Sequence, residues 1–398
     1  MLNVRIAGNW LNGWGKVPPM GFNICWNALI GMSIWPAISC GIMSLNIWAM
    51  NRVFSSLIKP VLSKKGHILP GYSVSNSGTA GRVENSQIGV FLCYAGNGGH
   101  AFVDRALYLP RQWTDARSRC EAAGIPASVT FATKPPLARQ MLERTWDAGV
   151  PCRWVTADEV YGRDRRLRVW LESRYPPFVL AIPCNTPLGW RGPEYIRADR
   201  IADTLTAADW KTRSAGTGTK GEREYDWAVV PLWRLQLSEE DRHYGHYLLV
   251  RRSRDSRQER AYYVVYALRE QVDLNTLVQV AGCRWEIESG FEETKGECGL
   301  DHYEVRRWQS WHRHITLSLL AHAVLAVLRV QEKKTPVGRV PLSVAELRKL
   351  LSKLMEKAGK TIEQILHWSD WRRRHQYRVQ QCHCRRRGNH RLTEQLRL

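Results

Sequence analysis

The sequence predicts an α/β protein whose mixed sheet is flanked by helices and interrupted by a β-rich stretch. Three observations carry this. Apolar strand-like runs alternate with helical periodicity between residues 87 and 184, the grammar of a sheet with parallel members. Residues 185–270 are then dominated by strand-like segments, and helical patterning returns from residue 277. A length of 398 residues suggests about two or three domains.

Taken in order, the chain begins atypically. Residues 1–83 hold no Asp or Glu, the first acid being Glu84, and no charge of either sign falls between Lys16 and Arg52. The run GFNICWNALIGMSIWPAISCGIMSLNIWAM is long enough to cross a bilayer, but Asn23, Asn27, Pro36 and Asn46 interrupt it. It reads as a membrane span, a buried helix pair, or a segment foreign to the rest of the protein, and the chain downstream favours the third.

From residue 87, QIGVFLCYA reads as a strand, Gly96-Asn97-Gly98-Gly99 as a turn and HAFVDRALYLP as a second strand, forming a hairpin. Residues 134–148 show helical periodicity, 154–162 (WVTADEVYG) a buried strand ending in two acids, 163–174 a helix and 177–184 another strand. Within the β-rich stretch, AVVPLWRLQL, HYLLVRRS and AYYVVYAL are strands, and 211–221 reads as a flexible basic loop too irregular for a P-loop. The stretch 277–299, LVQVAGCRWEIESGFEETKGECG, reads as one amphipathic helix stopped by Gly296 and Gly299. A strongly apolar, buried helix follows from Trp308 to Val330, and 343–355 is amphipathic. The tail carries Arg372-Arg373-Arg374 and Arg385-Arg386-Arg387.

With 58 Lys and Arg against 37 Asp and Glu, the net charge is +21. A field of that sign favours a polyanion, nucleic acid first and an acidic membrane surface second. The 18 Trp suffice for both core and base-stacking surface. The ten cysteines form no C-x-x-C pair, and Cys382-His383-Cys384, even with His375 and His390, has the wrong spacing for the usual zinc sites. They read as reduced thiols of a cytosolic chain, and the tail as a solvated or phosphate-binding cationic segment.

Chemistry concentrates at a few positions. Steps of four and seven put Arg284, Glu288 and Lys295 on one side of a helix. Glu288 offers a hard oxygen to a divalent metal, and Arg284 and Lys295 offer a fork and a point charge to phosphates. The plainer meaning is a solvated face with i, i+4 ion pairs. Asp158 stands at the carboxyl end of a strand, where open α/β sheets place ligands, or else it is a helix-capping acid. Arg306, Arg307, His312 and Arg313, with Asp301, His302, Tyr303 and His314 around them, suit a DNA end through phosphate contacts and stacking. His314 and His322 also read as core histidines.

RWEIESGFEETKGE fits R-x3-E-x6-K, and this resembles the Tyr-Arg-Glu-Lys signature of bacterial insertion-sequence transposases of the DDE superfamily. SGTAGRVENSQIGVFL, HAFVDRALYLP, FATKP, WVTADEVYG, KGECGLDHYEVRRW and WHRHITLSLLAHAVLAVLR are similar, in order and spacing, to one branch of it. The likeness covers about residues 77 to 390. It implies a ribonuclease-H-like catalytic core made of 77–184 and 271–332, split by the β-rich insertion 185–270. A basic carboxy-terminal helix and tail (333–398) would follow it, and an atypical segment (1–76) would precede it.

The resemblance implies Asp158 and Glu288 as catalytic carboxylates facing each other across shared Mg²⁺ (or Mn²⁺), with Arg284 and Lys295 on DNA phosphates. The implied partner is double-stranded DNA, transposon ends and target, bound by a DNA-induced homodimer in the cytoplasm at the nucleoid, with no membrane role. Two family features are missing. The signature Tyr falls at Ala281. The first catalytic aspartate, counted back from Lys64-Lys65-Gly66, falls at Ile58. A relic amino-terminal third joined to a surviving core is the expectation, which leaves the enzyme short of one acid. Asp104 is a conceivable surrogate that nothing in the sequence demands. The alternative is a non-catalytic DNA-binding remnant.

Overall fold

One mixed sheet of ten strands organises the computed structural model, which describes residues 53–63, 73–77, 82–96, 99–174, 176–218, 221–235, 239–332, 341–355 and 361–386. The apolar run at 21–50 and Lys64-Lys65-Gly66 lie outside the described residues. The sheet begins with β1 (Val53–Ser63), β2 (Ser73–Ser77), β3 (Arg82–Gly96) and β4 (Gly99–Leu107). The expected hairpin is β3–β4, antiparallel from Gly89↔Leu107 to Gly96↔Gly99. On its other edge β3 pairs antiparallel with β1. Beyond β1 come β5 (Trp154–Ala157) and β6 (Phe178–Ile182), each parallel to its neighbour. The order β4-β3-β1-β5-β6, three antiparallel strands followed by two parallel ones, is a ribonuclease-H-like core.

Helices connect the parallel strands. Lys134–Asp147 (α1) precedes β5. Between β5 and β6 lie the short Glu159–Gly162 (α2) and Arg165–Ser173 (α3). The expected strand at 154–162 therefore ends five residues early. Asp158 accepts from the Val160 N–H at 2.9 Å, which starts a helix where alternation alone suggested continued strand.

The β-rich stretch extends this sheet. Besides the small separate pair β7 (Pro187–Gly189) and β8 (Tyr195–Arg197), it supplies β9 (Lys211–Gly218), β10 (Gly221–Leu232), β11 (Tyr244–Arg252) and β12 (Arg260–Leu268). β12 pairs directly with β6, and β11, β10 and β9 follow outward. The basic segment read as a loop at 211–221 is thus mostly strand β9, held in an antiparallel ladder with β10.

The expected single helix over 277–299 is two: Leu274–Gly282 (α4) and Trp285–Cys298 (α5). At Gly282 an added Cβ would lie 2.4 Å from the Ala215 carbonyl oxygen of β9, so the chain passes too close to the sheet for a side chain. The bonds there tighten to i→i+3, from Glu286 N–H to Cys283 O and from Ile287 N–H to Arg284 O. The stop at Gly299 is as expected, a left-handed residue with φ 64°. The buried helix α6 (Trp308–Glu332), then α7 (Val344–Met355) and α8 (Ile362–Arg386), complete the fold. The arginine-rich tail is therefore largely helical, with Arg372 paired to Glu346 and Arg374 to Asp370.

Packing fixes α5 on the hairpin. Phe291 meets Phe91 and Phe102 at ring-centroid distances of 5.2 and 4.7 Å, and Phe91 meets Phe102 at 5.7 Å. Each such aromatic pair adds about 0.5–1.5 kcal/mol beyond area burial. Four of the largest fully buried side chains are tryptophans: Trp113, Trp154, Trp227 and Trp311. Much of the Trp content is thereby core, while Trp368 and Trp371 remain exposed on α8.

Candidate functional site

Asp158 stands at the tip of β5, and its neighbours are set by register. β1 and β5 run in parallel with Ser55↔Thr156 and Ser56↔Ala157. Continuing that ladder puts residues 57 and 58 of β1 level with the start of α2. The position where the resemblance requires the first aspartate is Ile58, two residues past the last ladder pair, Ser56↔Ala157. Asp158 is half-buried and Glu159 exposed, so the first acid faces the protein and the second water. Asp158 caps α2, as the plainer reading expected, and it follows directly on the carboxyl end of β5.

Burial raises the Asp158 carboxyl above its ordinary value. The N–H groups of Val160 and Tyr161 oppose that rise, as do the nearby cations Arg284 and Lys134. Arg284 also ion-pairs with Glu288 at 3.4 Å, the i, i+4 pair that the plainer reading of this face predicted. One guanidinium therefore acts on both predicted carboxylates. Lys134, at the start of α1, is a cation of this site that sequence reasoning did not single out. The string FATKP was its only signal.

The donor chemistry fits a hard divalent cation in part. Asp158 and Glu288 supply carboxylate oxygens, and the burial that makes the charged Asp158 costly is what a cation would offset. At position 58 a hydrocarbon side chain supplies no ligand. Asp104 is no replacement. It is 1 % exposed, accepts from Arg144 Nε and Nη2 at 3.0 and 2.8 Å, and accepts from the Arg105 N–H at 2.8 Å. It is committed to a buried ion pair in the hairpin.

The remaining predicted residues divide. Lys295 is half-buried on α5, and Arg306, Arg307 and Arg313 are exposed. His312 is turned inward. Its Nδ1 lies 3.0 Å from the Trp308 carbonyl oxygen, its ring packs on Trp308 and Trp311, and burial pushes its pKa down to about 4. Tyr303 is buried, hydrogen-bonded to Gln87 and to Trp311 Nε1. His314 binds the Gly299 carbonyl oxygen at 3.0 Å.

A second constellation lies inward of α5, and sequence reasoning missed it. His100 on β4, Glu286 and Glu293 on α5, and His322 and Arg329 on α6 form one network. Sequence spacing carries no signal for it, because its members are joined only by the packing of three distant segments.

Comparison with known families accords with this geometry. Residues 60–201 match the family described as DDE superfamily endonuclease, and residues 132–324 match the transposase DDE domain. The two matches overlap over 132–201 and together span 60–324, which takes in Asp158, Arg284, Glu288 and Lys295. No protein of curated function matches the chain.

Proposed function

We propose that the chain is an insertion-sequence DNA transposase of the DDE superfamily whose strand-cleavage site is one carboxylate short, a reading supported by the family matches over residues 60–201 and 132–324. The observation that carries the reading is Arg284, a single guanidinium acting on Asp158 and paired with Glu288 beside the β1–β5 ladder. Asp158 and Glu288 are the residues that would hold Mg²⁺ or Mn²⁺. Such an ion, when bound, supplies Lewis-acid activation of water or a 3′-hydroxyl and stabilises the leaving oxygen.

This chain's own residues position the nucleic acid. Arg284, at the N-cap of α5, takes a phosphate by its fork, and Lys295, about three turns along the helix, takes one by point charge. Arg306 and Arg307, just before α6, and Arg313 on its first turns extend the cationic surface, consistent with the excess of 58 cations over 37 anions. The protein acts in the cytoplasm at the nucleoid, as a homodimer on paired duplex ends.

Ile58 favours a second reading in the same frame: a copy that binds DNA and does not cut it. The test uses the full chain, duplexes carrying the sequences that flank its gene, and Mg²⁺ or Mn²⁺. The chain as it stands should bind with a steep salt dependence and leave the strands intact. Ile58→Asp should introduce nicks, and those nicks should vanish when Asp158→Asn or Glu288→Gln is added. Nicking that survives both additions would remove the assigned site. Absence of nicking by Ile58→Asp would leave the binding remnant.

A further inference from the structure

We propose that His100, Glu293 and His322 form a second metal site, for a borderline transition ion such as Zn²⁺, buried between β4, α5 and α6 and separate from the Asp158–Glu288 edge. One donor atom from each lies within 4.8 Å of the other two. Glu293 Oε2 stands 3.1 Å from His100 Nε2 and 3.0 Å from His322 Nε2. Ligands bound to one ion at about 2.0–2.2 Å stand roughly 3.0–3.4 Å apart when they are neighbours in its coordination sphere. The observed spacings require little movement to admit an ion.

The surroundings hold these donors in aim. His100 Nδ1 contacts Glu286 Oε2 at 2.7 Å, which leaves Nε2 as the nitrogen facing the centre, the carboxylate-on-histidine arrangement that orients metal ligands. Arg329 Nη1 donates to the other Glu293 oxygen, Oε1, at 2.9 Å, so Oε2 is left for the two rings. The His322 side chain is fully buried and that of His100 nearly so, and the ring centroids are 5.6 Å apart.

Two imidazoles and one carboxylate suit zinc, cobalt or nickel, whereas magnesium favours oxygen donors alone. Entry of the divalent ion displaces the hydrogens between the two Nε2 atoms and the carboxylate: that of His100, whose Nδ1 keeps its hydrogen toward Glu286, leaves as a proton to water, and that of His322 moves to its own Nδ1, so both rings bind as neutral imidazoles. The ion would pin residues 100, 293 and 322 together, and with them the helix that carries Glu288.

The probe is Co²⁺ alone, titrated into the chelator-treated full chain. One equivalent should bind and produce visible d–d bands with no thiolate charge-transfer band, Zn²⁺ should displace it, and the unfolding temperature should rise. Glu293→Gln and His322→Asn should each lose at least tenfold in Co²⁺ affinity, while Asp158→Asn with Glu288→Gln should leave stoichiometry and spectrum unchanged. That last pair separates this site from the proposed cleavage site. A titration of the unaltered chain that shows no stoichiometric Co²⁺, or bands that carry thiolate character, would overturn the assignment without reliance on any variant folding.

Discussion

His312 offers the sharpest separation between a packing residue and a DNA ligand. In the folded chain its pKa is pushed down to about 4 from an ordinary 6.5, first by burial, then by the charges of Arg105 and Arg144, against the opposing Trp308 carbonyl. A histidine whose folded value is depressed is held neutral by the fold. Its contribution is complete above the unfolded value and is lost as pH falls from about 6.5 toward about 4. Between pH 7.5 and 5 the unfolded imidazole takes up a proton that the folded one refuses, which costs about 2 kcal/mol of stability. At about 2.1 cal/mol/K of unfolding entropy per residue, a chain of 398 residues shifts by roughly 1 °C per kcal/mol, a fall of roughly 2 °C in unfolding temperature. The assay is thermal unfolding by circular dichroism at the two pH values, on the chain and on His312→Asn. The variant should lose that part of the pH dependence. Between pH 7.5 and 6 the DNA affinity of the chain and of His312→Asn at fixed salt should change with pH in the same way, because no charge appears at His312 there. Identical pH dependence of unfolding in both proteins, or a strengthening of DNA binding toward pH 6 that His312→Asn abolishes, would refute the packing assignment and return His312 to the DNA surface.

Asp104→Ala should lower stability by about 1–3 kcal/mol, because the buried carboxylate accepts from Arg144 Nε and Nη2 and from the Arg105 N–H; an unchanged unfolding temperature would show that these bonds are not structural. Ile58→Asp, which adds a carboxylate to the strand paired with the one that ends at Asp158, should destabilise the ion-free chain by on the order of 1–3 kcal/mol. Millimolar Mg²⁺ should restore much of that loss in calorimetry and should leave the Ile58 chain unmoved.

The sheet was legible because its strands are apolar runs bounded by turns. QIGVFLCYA, HAFVDRALYLP and PFVLAIPC each became a strand within a few residues of the expected limits. Glu288 was legible through its spacing to Arg284, since the helix period forces that pair together. Two features were hidden for physical reasons. The helix break at Gly282 depends on the Ala215 carbonyl, 67 positions earlier, and no local pattern records a contact across the sheet. The His100–Glu293–His322 network has the same cause: its residues look like ordinary core or surface choices until β4, α5 and α6 are packed. Capping, by contrast, was legible at Asp158 as an alternative, because an Asp after a strand accepts readily from the N–H two residues on.

Helix α5 joins these results. Its outward face carries Glu288, paired with Arg284 at the site edge, and its inward face carries Glu286 and Glu293 on His100, His322 and Arg329. Phe291 and the buried Ile287 lock the rotation of the helix between the two. Because one rigid helix holds both faces, the roll that satisfies the inward carboxylates also sets where Glu288 points. The tightened turn at Cys283 and Arg284 lets α5 adopt that roll independently of α4, which the close passage of Gly282 over β9 keeps fixed to the far half of the sheet. The inner network is therefore a determinant of site geometry although it touches no DNA.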